Sequence, residues 1–243
     1  MLRHARKERR FLGIQISGIS DRNKLRLTAF LMVGFLASLG CNPASLTYFL
    51  IPPPKIPAKM PLTENKDDPT VVIVVSHTSQ LQNTTELFNA DRLIANRLTE
   101  VLKRQYKLNR KKVNIIDPYK VWDYRSSHPN WALEGPRPIG DHFKADYVIN
   151  IEIDKMTLYQ KKTHNLLYQG QAELSISVTD MNAPEGQSPR SEPYVTTFPA
   201  THPVSANDYS VGIFRSKFID YMANDLSRYF SAHTTERKFS SLH

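Results

Sequence analysis

Several residues in this 243-residue chain have types and spacing that suggest chemistry. His77, Asp117 and the neighbours Asp141 and His142 form the first group. His77 and Asp117 each follow an expected strand, and ligands of α/β sheets gather at the C-terminal ends of strands. A histidine oriented by an aspartate acts as a general base. An extracytoplasmic hydrolase using His77 and Asp117 is therefore one reading. Plainer roles compete: Asp117 before Pro118 is a helix N-cap signal, and His77 fits a loop. The other histidines, His4, His128, His164, His202, His233 and His243, do not pair at metal-ligand spacing. The sequence contains no Gly-x-Ser-x-Gly, phosphate-loop, His-Glu-x-x-His or dinucleotide-binding signature. No catalytic residue, metal or cofactor is expected.

The sole cysteine, Cys41, has a different chemistry. It follows thirteen uncharged, mostly apolar residues, 28–40, preceded by a basic segment. That arrangement matches a signal peptide's apolar and basic regions. Residues 36–41, Leu-Ala-Ser-Leu-Gly-Cys, resemble a bacterial lipobox, in which the cysteine is lipidated and becomes the mature N-terminus. The membrane-inserting residues would be Phe30, Leu31, Met32, Val33, Phe35 and Leu36. An uncleaved span competes, because residues 28–51 carry no charge and are long enough to cross a bilayer. Pro43 argues against it by breaking a helix there. Both readings put the rest of the chain outside the cytoplasmic membrane.

A third group is the run 103–112, with Lys103, Arg104, Lys107, Arg110, Lys111 and Lys112. Such a run meets phosphate head groups, an acidic partner or nucleic acid, or it is the solvated end of a helix. The net charge of +9 does not favour nucleic acid: residues 1–27 hold eight cations against Glu8 and Asp21, leaving about +3 for residues 42–243. A cytosolic RNA-binding domain is the weaker alternative. It requires the run to join other cations in one patch. Trp122, Tyr124 and Trp131 are the fourth group, suited to a protein interface or to packing on a sheet. The triplet Asn83-Thr84-Thr85 matches a glycosylation sequon, a pattern frequent by chance.

These groups must be held by a framework. Residues 42–70, with four prolines between 51 and 60, read as a semi-rigid extended tether. The domain begins at Val71, where residues 71–75 are a β-branched run typical of a strand buried on both faces. A helix follows to about Tyr106: Asn83 and Glu86 suggest its capping box, and Leu87, Ala90, Ile94, Leu98, Val101 and Leu102 form its apolar stripe. A short strand at 113–116 and a short helix from Pro118 through Trp122 come next, then an irregular stretch, 126–138. Strict alternation predicts strands at 147–154 and 171–180. The turn at 161–165 makes them an antiparallel hairpin. Residues 194–197 suggest another strand. A final helix over about 208–233 carries Phe214, Phe218, Tyr221, Met222, Leu226 and Phe230 on one stripe, read as core.

The lipobox-like start, the 71–75 strand, the helix after it, and residues 143–149 before a long hairpin resemble bacterial envelope lipoproteins with a TolB N-terminal-like domain. That group includes the curli-secretion and penicillin-binding-protein-activator lipoproteins. Ala145-Asp146-Tyr147-Val148-Ile149 is similar to the group's entry strand. Ser76-His77-Thr78 is a departure from its usual threonine turn. The resemblance implies a non-catalytic envelope protein that binds other proteins.

The expected fold is an α/β sandwich, a mixed, largely antiparallel sheet in the order β-α-β-α-β-β-β-α covered by helices. The expected organisation is a signal or anchor segment 1–41, a tether 42–70, one domain 71–233 and a disordered tail 234–243. The expected partners are the membrane, through an N-terminal lipid or helix, and other envelope proteins. Neither nucleic acid nor a small-molecule substrate is expected.

Overall fold

Residues 54–63, 66–78, 87–184 and 186–234 are described in a computed structural model of the chain. The elements run β1 (Lys55–Ile56), β2 (Thr70–His77), α1 (Ala90–Leu108), β3 (Asn114–Ile115), α2 (Pro118–Ser127), α3 (Trp131–Glu134), α4 (Arg137–His142), β4 (Tyr147–Tyr159), β5 (Leu167–Asp180), β6 (Arg190–Phe198), β7 (Val204–Ser205), α5 (Val211–Phe230) and β8 (His233–Thr234). The main sheet has the order β3-β2-β4-β5-β6, with β7 also on β5. β2 is parallel to β3 and β4; the β4, β5 and β6 pairings are antiparallel. The sheet is therefore mixed and largely antiparallel, flanked by helices, as expected.

β2 owes its place to its composition. Val71, Ile73 and Val75 enter a large core, while Val72 and Val74 enter a second, smaller one on the opposite face. The large core lies under α1 and α5. The whole expected stripe of α5 packs there, with Tyr221 partly buried. Tyr106 locks the two helices by donating its hydroxyl to Phe230 O at 2.6 Å. Burial pushes that hydroxyl's pKa up. The smaller core holds Val121, Tyr124, Ile139, Ala145 and Val148 under α2 to α4.

β4 runs five residues past its expected end. A register shift between Ile153 and Lys155 explains the difference. Up to Ile153 the odd-numbered residues face the large core; after the bulge Met156 and Leu158 do. An extra residue in one strand reverses the side-chain alternation, so the period of two breaks at Asp154 although the strand continues. Within the stretch 126–138, expected to be irregular, Ser126 and Ser127 end α2, Trp131–Glu134 form α3, and Arg137 and Pro138 begin α4.

The domain also starts earlier than expected. β1 pairs with β8, and Met60 and Leu62, expected in the tether, are 2% and 0% exposed in the large core. Apolar side chains set among prolines and charges dock where the core has a place for them, although the local composition favours an extended chain. Thr234, assigned to the tail, is in β8.

Asp146 in the Ala-Asp-Tyr-Val-Ile segment has a structural role. Its Oδ2 accepts from the Thr70 amide at 2.8 Å, and its Oδ1 from Lys66 Nζ at 2.8 Å. It thereby joins the start of β2, the segment before it and the start of β4. Burial acts most strongly on this carboxyl and opposes its ionisation. Hydrogen bonds from Lys66, the Thr70 amide and Asn182 outweigh that, and its pKa lies below the usual value.

Candidate functional site

The expected His77–Asp117 dyad is not assembled. β3 pairs in register with the start of β2, Ile115 lying opposite Val71. Asp117 therefore leaves the sheet about level with Ile73, four residues before His77, a distance of ~13 Å along a strand. Asp117 instead caps α2, its Oδ1 accepting from the Tyr119 amide at 2.9 Å. His77, the last residue of β2, points its Nε2 to within 3.7 Å of Asp91 Oδ1 on α1. His142 packs its ring 4.5 Å from that of Tyr124 and 4.6 Å from that of Phe143. The His–Asp constellation thus separates into a cap, a strand end and a packed ring.

A groove lies beside His77. β3 pairs only with Thr70 and Val71, so among the described residues no strand covers the outer edge of β2 from Ile73 onward. α1 flanks that edge on one side and α2 on the other. Asp91, Arg92, Ala95, Tyr119, Trp122 and Arg125 line the groove, around a cavity of about 70 Å³. Arg125 reaches in and donates through Nη1 to Val75 O at 2.7 Å, satisfying one edge carbonyl as a neighbouring strand would. Its guanidinium stacks over Trp131 at 4.2 Å. Burial lowers the Arg125 pKa, with Asp91 opposing. At Asp91, burial opposes ionisation most strongly. The His77 ring, the Arg92 amide and the Arg125 charge together outweigh it and hold the carboxyl below its ordinary value. Among the described residues, His77 Nδ1 and Arg125 Nε are buried without a hydrogen-bond partner.

The three aromatics of the sequence reading divide. Trp122 is 37% exposed at the rim, with the Arg92 guanidinium 3.7 Å from its ring centroid. Tyr124 is buried in the smaller core and stacks on His128 at 4.0 Å. Trp131 packs partly buried against the same core. Tyr124 is therefore a packing residue rather than an interface residue. α2 is longer than expected, which turns Tyr124 inward and Trp122 outward. Tyr119, 70% exposed beside Trp122, escaped the sequence reading, as did Arg92 and Arg125. The spacing of Tyr119 and Arg125, three residues either side of Trp122, was the available signal for those two, hidden because the expected helix ended at Trp122; Arg92 comes from α1, and no local pattern joins it to them.

The basic run is on the surface. Lys103, Arg104, Lys107, Arg110, Lys111 and Lys112 are all exposed. Arg104 donates to Asn224 at 3.2 Å and Lys112 lies 3.8 Å from Asp68. Cys41, the membrane-inserting residues 30–33, 35 and 36, the sequon at Asn83 and the capping pair Asn83 and Glu86 lie outside the described residues. Among the described residues no helix is long and apolar enough to cross a membrane. No group of three or more His, Cys, Asp or Glu side chains among them is placed to hold a metal ion.

No protein-family model matches the chain, and no curated protein matches it. Solved structures with similar chain traces include a PelC dodecamer from Paraburkholderia phytofirmans, at 8% identity and a TM-score of 0.40, covering 74% of this chain and 100% of that one. A hypothetical protein from Chlamydia trachomatis is 13% identical at a TM-score of 0.41, covering 67% and 97%. A lipoprotein from Neisseria meningitidis is 12% identical at a TM-score of 0.34, covering 65% and 98%. A bacterial lipoprotein is thus among the structures with a similar chain trace.

Proposed function

We propose that this chain is a membrane-anchored protein of the bacterial cell envelope, whose α/β domain lies outside the cytoplasmic membrane and acts by binding another protein, without catalysis. The N-terminal address supports the anchor: a basic segment, an apolar stretch and Cys41 at its end. An uncleaved helix over residues 28–51 would serve the same end. The TolB N-terminal-like reading belongs with this proposal, and the bridging role of Asp146 supplies a physical reason for that residue in the entry segment.

The groove at the β2 edge carries the binding part of the proposal. Its cavity of about 70 Å³ is far below the ~300–1,000 Å³ of ordinary small-molecule sites, so its size suits one side chain of a partner. Tyr119 and Trp122 stand at its rim, and aromatic side chains of this kind dominate binding energy at interfaces. The unpartnered His77 Nδ1 and Arg125 Nε favour a partner that brings hydrogen-bonding groups.

A photo-crosslinking residue at position 119, introduced into the full chain in its native cell, tests this reading. The expected result is a discrete adduct at 119, weakened by Trp122→Ala, and none at 133, where Leu133 is 89% exposed on a different helix. Equal, diffuse labelling at both positions would remove the groove as a binding site.

A further inference from the structure

The basic run and the point where the N-terminal segment enters the domain occupy the same corner. Lys55 of β1 donates its Nζ to Asn109 Oδ1 at 2.6 Å. Asn109 caps the C-terminus of α1 and donates its side-chain amide to Ser231 Oγ at 3.0 Å and Ala232 O at 2.7 Å. One asparagine therefore fastens the incoming and outgoing chain to the helix end that carries the cations. Lys103, Lys107, Arg110 and Lys111 make no ion pair among the described residues, and Lys112 has only the exposed Asp68 at 3.8 Å.

Helix-end electrostatics do not account for this cluster. A helix dipole favours cations within its last turn and fades beyond it. Lys107 meets that condition, but Arg110, Lys111 and Lys112 follow the end of α1 at Leu108. Leu108 itself stands among them 68% exposed. Cations around a protruding apolar side chain suit the head-group region of a bilayer, where the charges meet phosphates and the apolar group enters the acyl boundary. Only residues 42–54 separate Cys41 from β1, a length short enough for an anchored Cys41 to bring this corner close to the bilayer. The Debye length of ~8 Å at physiological salt makes that closeness necessary.

We propose that Lys103, Lys107, Arg110, Lys111 and Lys112, with Lys55 and Leu108, seat the domain on an anionic lipid surface, so that the tether holds it against the bilayer rather than lifting it away. This rests on the anchored reading given above. In that orientation the patch meets phosphodiester head groups.

The test uses the full chain reconstituted through its own N-terminal segment into vesicles of phosphatidylcholine alone, or with about a third phosphatidylglycerol, a mixture anionic enough to attract basic segments. Flotation of the phosphatidylcholine vesicles in high salt reports the anchor. Amide hydrogen exchange over residues 105–112 reports the seating. Exchange there is expected to slow by roughly threefold or more in the anionic vesicles only, the scale of a surface contact that salt can reverse. The slowing should vanish in the triple variant Lys107→Glu, Arg110→Glu and Lys111→Glu, while residues 131–134 stay unchanged in both. Unchanged exchange in a chain that floats overturns the inference and leaves the anchor standing. A chain that floats with neither vesicle overturns the anchor and the inference together. Slowing produced by added single-stranded RNA, with none from phosphatidylglycerol, overturns it in favour of nucleic acid.

Discussion

The two faces of the sheet solve different problems. Under α1 and α5, long helices with continuous apolar stripes cover every strand from β2 to β6. The core there includes Phe214, Phe218 and Phe230, each at most 1% exposed. On the other face, α2 to α4 are short and cover β2 and the beginning of β4. Beyond them the outward face carries polar pairs beside the exposed Val195: Lys155 pairs with Glu173 at 2.8 Å, and Ser175 donates to Asp154 at 2.8 Å. Stability is concentrated on the first face. The edge of β2, between the two faces, carries the groove, the half-exposed Trp122 and the unpartnered His77 Nδ1 and Arg125 Nε. A fold that holds itself from one side leaves the other free to vary in shape and charge.

Substitutions that distinguish the faces test that division. Phe218→Ala removes a fully buried ring from the large core and should cost ~3–5 kcal/mol, read as a large fall in the denaturant midpoint. Gly170→Ala should follow. A Cβ there would lie 2.7–2.9 Å from ring atoms of Phe218, and overpacking of this kind costs about 1–3 kcal/mol. Thermal unfolding would show the loss, with Gly212→Ala, where a Cβ meets nothing within 4 Å, as the control. On the second face Val121→Ala, at 2% exposure, should cost only ~1–2 kcal/mol for two lost methyl groups. A cost equal to that of Phe218→Ala would contradict the asymmetry.

The smallest effect is a pH dependence. The pKa of Asp146 is lowered in the folded state from its ordinary value of 3.8. The unfolded chain therefore takes up the proton first. The stability that Asp146 contributes is present above 3.8 and is lost as the pH falls below that value, through the lower native pKa. Urea unfolding across this acid range should show a shallower fall for Asp146→Asn than for the wild-type chain. Equal slopes would mean that Lys66 and the Thr70 amide do not hold the carboxylate.

Most of the first face was legible in the sequence, because its stripes repeat at the helical and strand periods without interruption. Val71 to Val75 and the Phe214–Phe230 stripe are examples. The bulge at Asp154 was not legible, since a reversed alternation reads as the end of a strand. Met60 and Leu62 were hidden by the prolines around them. The candidate site was harder still. His77 and Asp117 both follow strands, but the register of a two-residue strand, β3, decides that they stand apart. Asp91, which faces His77, is fourteen residues further along the chain, beyond the turn into α1. The groove is assembled from α1, α2 and a strand edge, and no local pattern brings those three together.

The central claim is that the chain is carried to a membrane and works outside the cytoplasm as an anchored binding protein. Intact-mass analysis of the mature protein from fractionated cells, beside Cys41→Ala, tests it most directly. The account predicts a membrane-bound species that begins at Cys41 and carries lipid, or an intact membrane-bound chain in both if residues 28–51 form the anchor. A soluble cytoplasmic chain of full length, unchanged by Cys41→Ala, would contradict it.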